Sequence, residues 1–260
     1  MEMKTKNERL ETAVRRAQAA LAAKAEMNRG IGTQSERMLH AVLKYYFEPD
    51  EAWQEVRIDS HIADIYRPQD NRIMEIQTRD FGRLRDKLNA FLPDYKVTVV
   101  YPIAREKYIY WVDPETGEAT GGKRSPKKGQ PWEILKEIYR LPDQQMHPNL
   151  SFLPVMMDVN EYRLQDGVRS RDGKRGSHRL ERMPYEMEEG FLLEMQEDYL
   201  ALLGDLLMEP FTSKDFGKAL KLRGMAVGQS LKAMERAGAI VRTGTGKNRS
   251  YIYERKDAAL

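Results

Sequence analysis

Apolar residues recur at helical spacing from the first turns of the chain. Leu10, Val14, Ala17 and Leu21 predict a helix over 5–28, which Arg29-Gly30-Ile31-Gly32 interrupts. A second helix begins at Thr33 and carries Leu39, Val42, Leu43 and Tyr46 on one face. The period then shortens, and three strands are expected at Trp53–Ile58, His61–Tyr66 and Arg72–Thr78. The last two are joined by Pro68-Gln69-Asp70-Asn71, a turn composition. Leu84, Leu88 and Phe91 mark a helix over 82–92, followed by strands at Tyr95–Tyr101 and Lys107–Val112. Pro114–Gln130 reads as a polar loop, Pro131–Arg140 as a short helix and Leu150–Asp158 as a strand. The order of helix, three strands, helix and strand implies an α/β layer built on a mixed sheet flanked by helices.

The pattern changes after residue 166. Gly167–Arg182 is basic and has no apolar period, which suggests a linker or arm. From Met187 the chain reads as short helices: one from Phe191 to about Met208, a second capped by Thr212, and a third over 226–237. The third carries Val227, Leu231 and Met234 in phase and is stopped by Gly238. Two strands, Ile240–Thr243 and Ser250–Glu254, flank a Gly-rich tip. These patterns divide the chain into a helix and connector (1–32), an α/β domain (33–166), a basic linker (167–186) and a small C-terminal domain (187–260).

Composition narrows the class. At 41% hydrophobic and 32% charged, the 260 residues suit a soluble globular protein, and no run approaches the roughly 18 apolar residues of a membrane span. The Ala-rich, charged start of the chain does not read as a signal peptide. The lack of cysteine excludes disulfides, thiolate zinc sites and a thiol nucleophile, and fits the expected cytoplasmic location. A net charge of +3 says little about partners, so local clusters carry more information.

The sharpest local feature is a pair of acids in apolar strands. Asp64 lies within Ile62-Ala63-Asp64-Ile65-Tyr66, and Glu75 within Ile73-Met74-Glu75-Ile76. Side chains alternate faces along a strand, so a hairpin closing symmetrically about Gln69-Asp70 sets Asp64 opposite Glu75. Two such carboxylates repel unless a cation lies between them, and a hard divalent ion with oxygen ligands is one solution. A solvent-facing stripe is the simpler alternative, but a lone carboxylate in an apolar strand is costly.

An Asp on one strand and Glu-x-Gln on the next, in this element order, resembles the PD-(D/E)xK nuclease core across Thr33–Tyr101. The resemblance implies a restriction-endonuclease-like fold in which Asp64 and Glu75 bind Mg²⁺ or Mn²⁺. It sets Gln77 where that superfamily usually has lysine, the group that orients water and stabilises developing charge. A neutral amide can only hydrogen-bond, so Lys87 on the next helix reads either as an alternative source of charge or, equally, as a solvated helix residue. Glu36 matches the superfamily's first-helix acid, although Thr33-Gln34-Ser35-Glu36 also spells a capping box. His40, one turn on, reads as a packed or exposed helix residue, and Asp59 as a turn residue. Arg79, Arg83 and Arg85 are candidate phosphate contacts, against a solvated helix start paired with Asp80 and Asp86.

The C-terminal pattern resembles a winged helix-turn-helix over Met187–Arg255. That resemblance implies a recognition helix offering Gln229, Ser230, Lys232 and Arg236 to the major groove, with Lys247 and Arg249 at the wing tip. The same fold also serves protein contacts. The combined expectation is a metal-dependent DNA endonuclease with a DNA-reading module, acting as a homodimer or with a partner protein. The alternatives are a non-catalytic DNA-binding factor on a degenerate nuclease core, and a nuclease subunit of a transposition or defence complex.

Overall fold

In the computed structural model the described residues are 5–27, 34–164, 178–246 and 250–256. The helices α1 (Lys6–Met27) and α2 (Gln34–Phe47) lead into β1 (Gln54–Ile58), β2 (His61–Arg67) and β3 (Arg72–Ile76). Then follow α3 (Arg85–Phe91), β4 (Lys96–Val112), β5 (Ala119–Arg124), α4 (Leu135–Ile138), β6 (Leu150–Leu164) and β7 (His178–Glu189). The seven strands form one mixed sheet in the order β1-β2-β3-β4-β6-β7, with β5 on β4. The α/β class expected from the sequence is therefore present.

The chain divides into two compact units. The first holds residues 1–66, 102–130 and 155–189. Here α1 and α2 pack on each other and on β7. Leu39, Val42, Leu43 and Tyr46 of α2 are buried, as their spacing predicts; of the expected α1 positions Leu10 and Ala17 are buried, while Val14 and Leu21 are half-buried and Ala13 is buried in addition. Arg9 ties the helices together by donating to the Tyr46 carbonyl at 3.1 Å with its guanidinium over the Tyr46 ring. β1 and β2 are antiparallel, with Gln54 opposite Ile65 and Val56 opposite Ala63. The left-handed φ of Asp59, +50°, turns the chain between them, which agrees with a turn role for that acid.

The polar stretch expected to be a loop over 114–130 contains β5, antiparallel to β4. Its far end is fixed at Gly129, whose N–H donates to the Ala104 carbonyl at 2.9 Å. A Cβ there would stand 2.4 Å from that oxygen, so only glycine fits. The basic segment read as a linker differs too. Residues 178–186 belong to β7, whose ladder with β6 runs from Leu164–His178 to Val155–Glu189. Cross-strand pairing with β6 supplies the order that helical or strand periodicity did not reveal. The remainder of that segment, 167–177, lies outside the described residues.

The second unit holds residues 67–101, 131–154 and 190–260. β3 lies parallel to β4, Glu75 opposite Val99. Four of its five residues are buried, as in a strand covered on both faces. Phe81 stacks on Phe152 at 5.9 Å and meets the edge of Tyr101 at 5.4 Å. The expected strands at 95–101 and 107–112 are parts of one 17-residue strand, because Pro102 to Glu106 continue the extended chain.

The C-terminal residues carry α5 (Gln196–Ala201), β8 (Phe211–Thr212), α6 (Ser213–Ala219), α7 (Met225–Arg236), β9 (Ile240–Thr245) and β10 (Tyr251–Arg255). β10 lies between β8 and β9 in a separate small sheet. The helix expected to run to Met208 is shorter, because α5 stops at Ala201 and a turn begins there. Thr212 caps α6 as expected: its hydroxyl accepts the Asp215 N–H at 3.2 Å, while Asp215 accepts the Thr212 N–H at 2.9 Å. Gly238 at φ +72° ends α7, and the Ala239 N–H closes onto the Met234 carbonyl at 3.0 Å.

These elements pack within the second unit rather than apart from it. α7 lies on α4, of which Leu135, Glu137 and Ile138 are buried. Trp132 Nε1 donates to the Leu220 carbonyl at 3.0 Å, and Gln145 Nε2 to the Ala233 carbonyl at 2.7 Å.

Candidate functional site

Glu75 is 1% exposed in the middle of β3, among Ile73, Met74 and Ile76. An ionised carboxylate in such a strand requires polar compensation. Part of it comes from α3. The turn after β3 and the helix that follows bring Lys87 back over the strand, and its Nζ donates to Glu75 Oε2 at 2.6 Å. The helix thus delivers an ammonium group to the strand acid.

Gln77 does something else. Its backbone N–H donates to the Val100 carbonyl at 2.9 Å, and its side-chain Nε2 donates to the Asp80 carbonyl at 3.1 Å. The expected role of orienting water or ligands is therefore corrected in part, because the amide nitrogen fixes the turn that leads into α3. Asp80 adopts a left-handed φ of +51°, and its N–H donates to Glu137 Oε2 at 3.0 Å.

Asp64 belongs to the first unit. Ala63 and Ile65 point to the buried side of β2, and Asp64 to the other, with 18% of its side chain exposed. His40 Nε2 lies 3.1 Å from Asp64 Oδ2. One turn further along α2, Lys44 Nζ reaches Glu55 Oε1 at 2.5 Å. Glu55 stands between the paired residues Gln54 and Val56, hence opposite Asp64 across β1 and β2. The hydrogen bond from Lys44, against the opposing effect of burial, holds the Glu55 carboxyl below its ordinary range. The spacing of His40 and Lys44, four residues apart, contained this signal; the two acids that they meet lie on different strands and could not be paired with them from sequence.

The remaining expected residues are distributed as follows. The side chain of Glu36 and all of Lys247 and Arg249 lie outside the described residues. Arg79 and Arg83 are exposed, Arg83 beside Asp80 at 3.5 Å. Arg85 donates to the Arg140 carbonyl from Nε at 2.8 Å and from Nη2 at 2.5 Å, so it holds a neighbouring helix end. On α7, Lys232 is exposed and Gln229 half-buried. Ser230 is 1% exposed, because it lies on the packed side of the helix, and cannot reach a groove. Arg236 donates to the Tyr139 carbonyl at 2.8 Å and lies over the Tyr139 ring. Ser230 and Arg236 thus serve packing here, a correction to their expected placement in a DNA groove.

Divalent metals of the Mg²⁺ type take carboxylate oxygens, often only one or two, with water completing the shell. Asp64 and Glu75 have the right donor chemistry. Among the described residues, no group of three or more His, Asp or Glu is arranged to hold a metal ion. No helix among them is long and apolar enough to cross a membrane.

Residues 37–194 match the model of a domain of unknown function, DUF8091. The match spans more than half of the chain, which therefore belongs to that family. It contains Asp64, Glu75 and Lys87, and ends before the C-terminal helices. An uncharacterized protein of Treponema pallidum (strain Nichols) is 39% identical over 136 residues, covering 52% of this chain and 53% of the relative. The chain thus spans about half the length of that relative. No solved structure matches.

Proposed function

We propose that the chain is a metal-dependent DNA endonuclease of the PD-(D/E)xK type. The observation that carries this reading is the Lys87–Glu75 contact of 2.6 Å. A lysine beside the strand glutamate is the element that Gln77 does not provide. Here it arrives from the following helix.

Asp64 and Glu75 would hold Mg²⁺, which when bound supplies Lewis-acid activation of water. Lys87 pairs with Glu75 and adds a positive charge for a phosphate oxygen as its charge grows. His40 fixes the orientation of Asp64. The role of Asp64 rests on the hairpin parity of its sequence. The succession of helix, strand, helix, helix and two strands in the C-terminal residues supports a winged helix that binds DNA, with the exposed Lys232 and the half-buried Gln229 as its groove-facing groups.

Cleavage of plasmid and branched DNA in Mg²⁺ or Mn²⁺ tests the proposal. Wild type should cut, and Asp64→Ala and Glu75→Ala should not. Equal cleavage by all three would remove the site assignment. One observation favours a second reading, a non-catalytic DNA-binding factor: the Gln77 amide is turned into the Asp80 turn. Salt-sensitive DNA binding with no metal-dependent cutting by wild type would select it.

A further inference from the structure

Glu161, on β6, has no exposed surface. Arg182 is its partner across the β6–β7 ladder, and Arg163 is two residues along its own strand. Arg163 grips Glu161 Oε1 from Nε at 2.7 Å and from Nη2 at 2.5 Å, while Arg182 Nε donates to Oε2 at 2.8 Å. Burial alone would raise the Glu161 pKa. The bond and charge of Arg182, with the bond from Arg163, outweigh burial and hold it at about 2. Both oxygens of one carboxylate thus serve as anchors for two guanidinium groups, each of which has five N–H donors in a fixed fork.

A third described cation lies near this carboxylate. Lys107 of β4 is half-buried and within electrostatic reach of Glu161, Arg182, Arg163 and Lys127. Burial, then the charges of Arg182, Arg163 and Lys127, push the Lys107 pKa down, with Glu161 opposing. Among the described residues, three cations, Lys107, Arg163 and Arg182, therefore gather about Glu161. Among the described residues, Lys107 has no carboxylate in ion-pair contact. The intervening Tyr162 points to the opposite face and stacks on Tyr110 at 5.2 Å. The cationic face is suited to phosphate rather than to a stacked base.

We propose that Lys107, Arg163 and Arg182, arranged around the buried Glu161 carboxylate, form a phosphate-binding site in the first unit. Glu161 is a positioning residue: it sets the two guanidinium forks in place before the ligand arrives, which lowers the ordering cost of binding. The ligand is a phosphate group, of a polynucleotide backbone or of a free anion. This site deepens the nucleic-acid reading above and rests on it for the choice of oligonucleotide.

The test uses the full chain in EDTA, a fluorescent twelve-nucleotide oligothymidylate read by anisotropy, and pyrophosphate as a second probe read by calorimetry. Wild type should bind the oligonucleotide with a steep salt dependence. Lys107→Met should weaken binding about tenfold and lower the salt slope by about one. Arg182→Met should weaken it at least as much, and Lys107→Arg should restore most of the loss. Lys107 takes no part in the ion pairs of Glu161, so its variant reports on binding even where Arg182→Met fails to fold. Oligonucleotide binding that depends on Lys107 identifies a polynucleotide phosphate. Pyrophosphate binding alone with the same dependence identifies a free anion. If neither probe binds, or if folded Lys107→Met and Arg182→Met bind as wild type does, the site is overturned. Cleavage in Mg²⁺ is scored separately through Glu75→Ala, so failure of either proposal is visible without the other.

Discussion

Glu75 and Glu161 are both buried strand glutamates, one in each compact unit, yet they are compensated differently. Glu161 is clamped at both oxygens by two guanidinium groups from its own strand and the next. Glu75 accepts at Oε2 from an ammonium on a flexible stem, carried by a neighbouring helix. Planar forks lock geometry, whereas an ammonium is a compact charge with rotatable donors that can follow a change in its surroundings. The comparison separates a carboxylate that orders its neighbours from one whose neighbour can still act on a ligand.

The largest expected effect lies at the ammonium. Lys87→Met should lower Mg²⁺-dependent cleavage by about 10²–10³-fold, the range for losing one donor to developing charge. Lys87→Arg, which keeps the charge but not the compact shape, should fall between. A cleavage rate unchanged in Lys87→Met, with circular dichroism as in wild type, would break the comparison by making Lys87 structural.

Next comes the clamped carboxylate. Glu161→Gln leaves Arg163 and Arg182 facing a neutral amide and should cost about 3 kcal/mol at neutral pH, measured by urea denaturation. The Glu161 pKa in the folded protein lies below the ordinary 4.5, so the ionised group contributes stability above that pH and loses it as pH falls toward about 2. The gap between wild type and Glu161→Gln should therefore narrow across this interval. A gap independent of pH would show that charge is not what the arginines recognise.

The smallest effect sets the scale. Thr212→Ala removes the α6 cap, far in sequence from both glutamates, and should cost about 1 kcal/mol in the same denaturation experiment. A loss as large as that of Glu161→Gln would mean that α6 depends on its cap far more than a single capping bond implies.

Local features of this chain were legible from residue order. The apolar spacing of α1 and α2, the turn at Asp59, the cap at Thr212 and the stop at Gly238 depend on neighbours within a few residues. So did the oddity of Glu75, an acid in a run that is otherwise apolar. What remained hidden depends on partners far along the chain. β7 has no apolar period of its own and takes its extended form from β6. Ser230 looked available because its helix is amphipathic, but tertiary packing decided which face was covered. His40 gave no sign of Asp64, 24 residues on, and Glu161 gave none of Arg182, 21 residues on.

Gly129 carries a consequence for how this chain can diverge. Residues 114–130 are polar, and charges there can be exchanged at little cost to the core, so the stretch is open to rapid drift. Position 129 is barred from it, since even alanine would collide with the Ala104 carbonyl. In a population of relatives, the expected pattern is a free-ranging segment with one immovable point, and that point would reveal where the hairpin returns to β4 more clearly than any conserved charge.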